Sequence, residues 1–88
     1  MNALDLTAHQ LDVLCWIADY RATQHYSPSL RELAIAFDCS LGGARHLALA
    51  LVHKGALTLT PQIARSMVLT VAGGGVVAQA RAQKAVAA

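Results

Sequence analysis

Apolar residues recur every three or four positions over three stretches of this 88-residue chain, and then alternate one by one over a fourth. The first stretch opens on Thr7-Ala8-His9-Gln10, a capping box in which Thr7 accepts from the third helical amide while Gln10 reaches back. The spacing predicts a helix from Ala8 to Thr23 with Leu11, Leu14, Cys15, Ala18 and Ala22 on one face, and Leu6 placed to staple onto Leu11. Val13, Trp16, Ile17 and Tyr20 widen that stripe beyond what a simple two-layer domain buries. Gln24 to Pro28 reads as a loop, because Pro28 turns Ser27 away from helical geometry. Ser29-Leu30-Arg31-Glu32 is a second capping box. It starts a short helix to Phe37 whose buried stripe is Leu30, Leu33, Ala34 and Phe37. Asp38-Cys39 is a tight turn, and Ser40 caps a third helix to His53. Ala44, Leu47, Ala50, Leu51 and Lys54 share one face of it, and Gly55 suits the left-handed position beyond its end.

Ala56 to Thr60 alternate apolar and polar, as a half-buried strand does. Pro61 to Arg65 make a turn, and Ser66 to Val71 pair back as a second strand with Met67 and Leu69 on the buried face. Gly73-Gly74-Gly75 reads as a break in the chain. Val76 to Ala88 is alanine-rich, and a helix of 13 residues is marginal alone. The expected organisation is therefore one domain over residues 1–72, followed over 73–88 by a glycine linker and a tail that is helical or disordered. Its class is mainly α with a small β-hairpin, three helices plus a two-stranded wing.

Composition narrows the function classes. The chain has room for one modest core, which excludes an enzyme with a buried cleft and a lid. Hydrophobic residues make up 56% and charged residues only 14%, against about 25% charged in an ordinary soluble domain. That shortfall points to apolar surface covered by a partner, either a second copy or another protein. Leu49 and Val52 on the third helix, Trp16 and Tyr20 on the first, and the Val76–Ala88 tail are the candidate patches. Net charge is only +2, but it is divided. Residues 1–38 hold all five acids against Arg21 and Arg31, net −3; residues 39–88 hold five cations and no acid, net +5. A phosphate-facing half and a solvent-facing half would produce this split. No secretory leader is apparent at Met1 to Leu6, and two cysteines, Cys15 and Cys39, fit a reduced, cytoplasmic setting. No run is long and apolar enough for a membrane span. His9, His25, His46 and His53 fall with the cysteines in no metal-ligand spacing. The three glycines lack the Lys-Ser or Lys-Thr of a phosphate cradle. No cofactor, metal or catalytic group is expected.

Two short capped helices joined by a tight turn and followed by a hairpin form a winged helix-turn-helix. Such a helix fits the major groove with its first turn facing base edges, the preceding helix bracing it across the backbone. Leu6-Thr7-Ala8-His9-Gln10 with Val13 and Ile17 resembles the opening helix of the LexA repressors. Pro28-Ser29, Glu32-Leu33-Ala34 and Phe37 resemble that family's second helix. Ser40, Ala44, Leu51 and Lys54-Gly55 resemble its third, and Arg65 its wing arginine. The likeness runs from Leu6 to Val71 with one deletion near Asp38-Cys39-Ser40. It implies a transcriptional repressor that binds a palindromic operator in double-stranded DNA as a dimer.

Carried residue by residue, the resemblance puts Ser40, Gly42, Gly43, Arg45 and His46 at the base-facing positions. Gly42 and Gly43 stand where the family has a polar reader and a small residue, and Arg45 and His46 where it has acids, so the operator is not carried over. Arg45 is the foremost base reader, since arginine pairs with guanine O6 and N7. His46 is a base or phosphate contact, Arg65 a wing contact to phosphate or minor groove, and Ser29 and Ser40 are caps that also face phosphate. Lys54 complements the end of the third helix and is a further phosphate candidate. Each has a plainer reading as an ordinary surface group. The family's self-cleaving peptidase domain is not seen in this sequence. A second reading remains beside the first: a winged-helix module that binds a protein rather than DNA, favoured by the modest charge, Gly42-Gly43 and the apolar excess.

Overall fold

The computed structural model describes residues 2–87, and the side chains of residues 84–87, Lys84 among them, lie outside the described part. The elements follow in the order α1 (Ala8–Gln24), α2 (Leu30–Ala36), α3 (Leu41–His53), β1 (Leu57–Thr58), β2 (Val68–Leu69) and α4 (Val71–Ala87). Both capping boxes form: Thr7 with Gln10, and Ser29 with Glu32. Ser40 caps α3 by accepting from the Gly43 amide at 3.0 Å. The axes of α2 and α3 are bent by 101° at the turn between them, within the range that defines a helix-turn-helix. Gly55 closes α3 in the left-handed region, with φ at 80°.

The hairpin is antiparallel, with Leu57 opposite Leu69 and Thr58 opposite Val68. Its strands are two residues each, shorter than the spans predicted. Beyond Thr58 side-chain bonds replace the ladder: the Ser66 hydroxyl accepts from the Thr60 amide at 3.1 Å and donates to the Thr60 carbonyl at 3.0 Å. Gln62 and Arg65 both stand at positive φ in that loop, a geometry incompatible with continued pairing.

The core gathers Leu14 and Ile17 of α1, Leu33 of α2, Leu51 of α3, and Leu57 and Met67 of the hairpin, all fully buried. Each contributes on the order of 2 kcal/mol by leaving water. The buried face of α1 is rotated from the predicted one. Val13 and Ile17 are fully buried, whereas Ala22 is exposed. The cause is that α1 is covered from two sides, by α3 and by α4.

The predicted break at Gly73-Gly74-Gly75 does not occur, because α4 runs straight through it. Thr70 starts this helix. Its hydroxyl accepts from the Gly73 amide at 2.9 Å and donates to the Gly55 carbonyl at 2.6 Å. Gly73 lies so close to β1 that a Cβ there would stand 2.0 Å from the Ala56 carbonyl oxygen. Val76 and Val77 are buried in the shared core, and Arg81 pairs with Asp19 of α1. Tertiary seating thus supplies what the local sequence withholds.

Trp16 and Tyr20, named from the sequence as a candidate patch for a partner, belong to a row of rings. His9, Phe37, Trp16, Tyr20 and Tyr26 follow one another with centroids 5.5–5.9 Å apart. The widened stripe of α1 is therefore used largely within the domain. Cys15 is half-buried against the core and Cys39 is exposed. Among the described residues, no single helix is long and apolar enough to cross a membrane, and no group of histidine, cysteine and acidic side chains could hold a metal ion.

Candidate nucleic-acid interface

A groove of about 310 Å³ opens between the wing and the first turns of α2 and α3. Its walls carry Ser29 and Arg31 from the start of α2, Leu41 and Arg45 from α3, and Ile63 and Arg65 from the wing. Among the described residues, three arginines and no acid line it. Arg31 and Arg45 have no ion-pair partner among those residues, and both are exposed.

The capping residues place these groups. Ser29 and Ser40 hold the starts of α2 and α3, whose first turns border the groove through Ser29, Leu30, Arg31 and Leu41. Ser40, Gly42, Arg45 and His46 are exposed along the first two turns of α3, and Gly43 is half-buried. At Gly42 a Cβ would make an ordinary contact with Ser40 Oγ at 3.9 Å, while at Gly43 it would stand 3.3 Å from that capping oxygen. Lys54 is not brought to this groove. It sits about 13 Å along the helix from Arg45, and its Nζ donates to the Asp5 carbonyl at 3.3 Å.

Arg65, expected from the sequence as a wing contact to phosphate or minor groove, has partners within the domain. Its Nη1 donates to Glu32 Oε1 at 2.7 Å, to the Ser27 carbonyl at 3.1 Å and to the Tyr20 hydroxyl at 3.3 Å. Its guanidinium carbon lies 4.8 Å from the centroid of the Tyr26 ring, a cation–π contact. The Tyr20 hydroxyl also donates to Glu32. That bond, with the Ser29 amide and the nearby Arg65 charge, holds the Glu32 carboxyl at about 2, well below its ordinary 4.5. The same bond raises Tyr20, whose proton is committed to the carboxylate. Arg65 is raised in turn, first by its contact with Tyr20 and then by Glu32.

Two groups escaped the sequence reading. Arg31 lies on the face of α2 that looks into the groove, a position its spacing from Ser29 could have shown. The Glu32 partnership of Arg65 spans 33 residues and carries no local signal.

The family model described as LexA DNA binding domain matches residues 3–66. The chain belongs to this family. Within the LexA DNA-binding domain family it is 40% identical over 65 residues to the LexA repressor of Thermosipho africanus (strain TCF52B), covering 74% of this chain and 33% of that protein. It is 39% identical over 64 residues to the LexA repressor of Thermosipho melanesiensis (strain DSM 12029 / CIP 104789 / BI429), covering 73% and 32%. The chain thus spans about a third of the length of these relatives. The LexA match takes in α1 to α3, the turn and the wing up to Ser66; α4 lies wholly beyond it.

Proposed function

We propose that this domain binds double-stranded DNA in a sequence-dependent way and serves a transcriptional repressor, with α3 reading the major groove. The observation that carries the reading is the acid-free groove, lined by Arg31, Arg45 and Arg65, between the start of α3 and the wing. Arg45 is the base reader. Ser29, Ser40 and the amides they leave open hold phosphates. His46 is a second contact on α3, and Gly42 and Gly43 let the helix start approach the base edges. Arg31 adds a phosphate contact from α2. Leu41, 53% exposed at the first position of α3, suits a thymine methyl. A dimer on a palindromic site and a cytoplasmic location go with this reading.

Selection of binding sites from random duplex DNA tests it. The expected result is an enriched motif, palindromic if the chain pairs on DNA, with affinity that falls steeply as salt rises, because each phosphate contact releases a counterion. A protein-binding module is the second reading, favoured by Leu41 and Ile63, both more than half exposed beside the groove. Recovery of no motif, with no salt-sensitive affinity for any duplex, would decide for it.

A further inference from the structure

We propose that Arg65 is a positioning residue: clamped by Glu32 and Ser27, it fixes the stance of the wing against α2, and DNA affinity depends on that clamp rather than on an Arg65–phosphate contact. This rests on the DNA-binding reading above and deepens it.

The clamp has two arms, both closing on the corner between α1 and α2. In the first, Arg65 spans Glu32 Oε1, the Ser27 carbonyl and the Tyr20 hydroxyl. In the second, Arg21 Nη1 donates to Ser27 Oγ at 2.7 Å and to the Met67 carbonyl at 3.3 Å, and Ser27 Oγ itself donates to that carbonyl at 2.6 Å. Ser27 is buried, so the corner is an anchored point and not a loose loop. The wing needs anchoring, because its paired strands are only two residues long. Arg65 itself stands at φ 55°. A non-glycine residue persists in that sparsely populated region only where its surroundings over-determine it. Its Nη1 meets a carboxylate that stays ionised well into acid, and Tyr26 covers the guanidinium face. Swinging to a phosphate would strand Glu32 beside an incoming polyanion.

The two roles predict opposite behaviour of Glu32. If Arg65 grips phosphate, removing the Glu32 charge frees it and leaves a more positive face. If Arg65 positions the wing, removing Glu32 damages binding as much as removing Arg65 does. Glu32→Gln is the informative change, because glutamine keeps the capping box of α2.

The experiment uses the 88-residue chain and the variants R65A, E32Q, R65A/E32Q and R65K, at a temperature where circular dichroism shows each one folded. Kd is measured over a salt series on a duplex that the unaltered chain has selected from a random pool. Each single variant is expected to weaken binding by about tenfold, and the double variant by no more than either single, since they break one interaction. The slope of log Kd against log salt stays unchanged, and R65K does not restore affinity, because an ammonium cannot lie flat on the Tyr26 ring as the guanidinium does. A slope lowered by about 0.9 in R65A, with E32Q binding as well as the unaltered chain or better, overturns the proposal and makes Arg65 a phosphate contact. Retained affinity in R65K does the same where E32Q also binds as well as the unaltered chain. Unaltered affinity in every folded variant reduces the clamp to a purely structural role and also overturns it. If the unaltered chain binds no duplex, the DNA reading fails by itself, and with it the claim on affinity. Hydrogen exchange of the wing amides in the free protein still tests the clamp itself. Faster exchange in R65A and E32Q is expected, and exchange equal to that of the unaltered chain refutes it.

Discussion

Arg45 and Arg65 carry the same charge on opposite walls of one groove, yet their surroundings give them different work. Among the described residues Arg45 has no ion-pair partner, so its guanidinium is available to a base edge; Arg65 is already engaged with Glu32. Arg45→Ala is therefore expected to lower affinity for the preferred duplex by about 1–3 kcal/mol while changing binding to unrelated duplexes little. Competition measurements with the two kinds of duplex check this. A uniform loss with a reduced salt slope would show that Arg45 holds phosphate instead. The positions of Ser29, Ser40, Arg45 and His46 were legible in the sequence because a capping residue fixes where its helix starts and so which side chains follow in the first turns. The commitment of Arg65 was not legible, since its partners are separated from it by 33 to 45 residues. A wing arginine in a sequence looks the same whether it points outward or back.

At the scale of elements, the three consecutive glycines of α4 have different roles, and this can be measured. A methyl group added at Gly74 or Gly75 would meet nothing within 4 Å, whereas one at Gly73 would run into the Ala56 carbonyl. Gly74→Ala and Gly75→Ala should each stabilise the domain by roughly 0.5–1 kcal/mol, by reducing the backbone freedom of the unfolded chain that helix formation must remove. Gly73→Ala should destabilise it by about 1–3 kcal/mol through overpacking against backbone that cannot give way. Thermal or urea unfolding of the three variants decides, and three equal effects would contradict the seating of α4. The first three helices were readable because two capping boxes and helical periodicity are local signals. The fourth was not. Its glycines are breakers by propensity, and its helicity depends on Val76 and Val77 entering a core built by other elements, and on Arg81 meeting Asp19 across 62 residues.

Across the whole molecule the charge split noted in the sequence is partly mixed by the fold. Asp12 and Asp19 border the groove between α1 and α4, beside Arg81, while Arg31, Arg45 and Arg65 border the one between α3 and the wing. Two acids of the first half pair with cations of the second, Asp19 with Arg81 and Glu32 with Arg65, and Glu32 gives the fold a pH dependence. Its folded pKa of about 2 lies below the ordinary 4.5. Its contribution is therefore full above 4.5 and is lost as pH falls from there through about 2. The unfolding midpoint of the unaltered chain should exceed that of Glu32→Gln at neutral pH, with the gap closing over that acid interval. A gap that does not change with pH would show that the carboxylate charge contributes nothing to the clamp.

Thr70 joins the wing to α4 within a single residue. Its amide donates to the Ala56 carbonyl beside the sheet, while its hydroxyl caps the helix that starts at the next position. No spare chain lies between the last wing strand and the 17-residue rod that follows it. That helix is also seated on α1 through Val76, Val77 and the Arg81–Asp19 pair, so a ligand that turned the wing would have to work against the core itself and not against a slack linker.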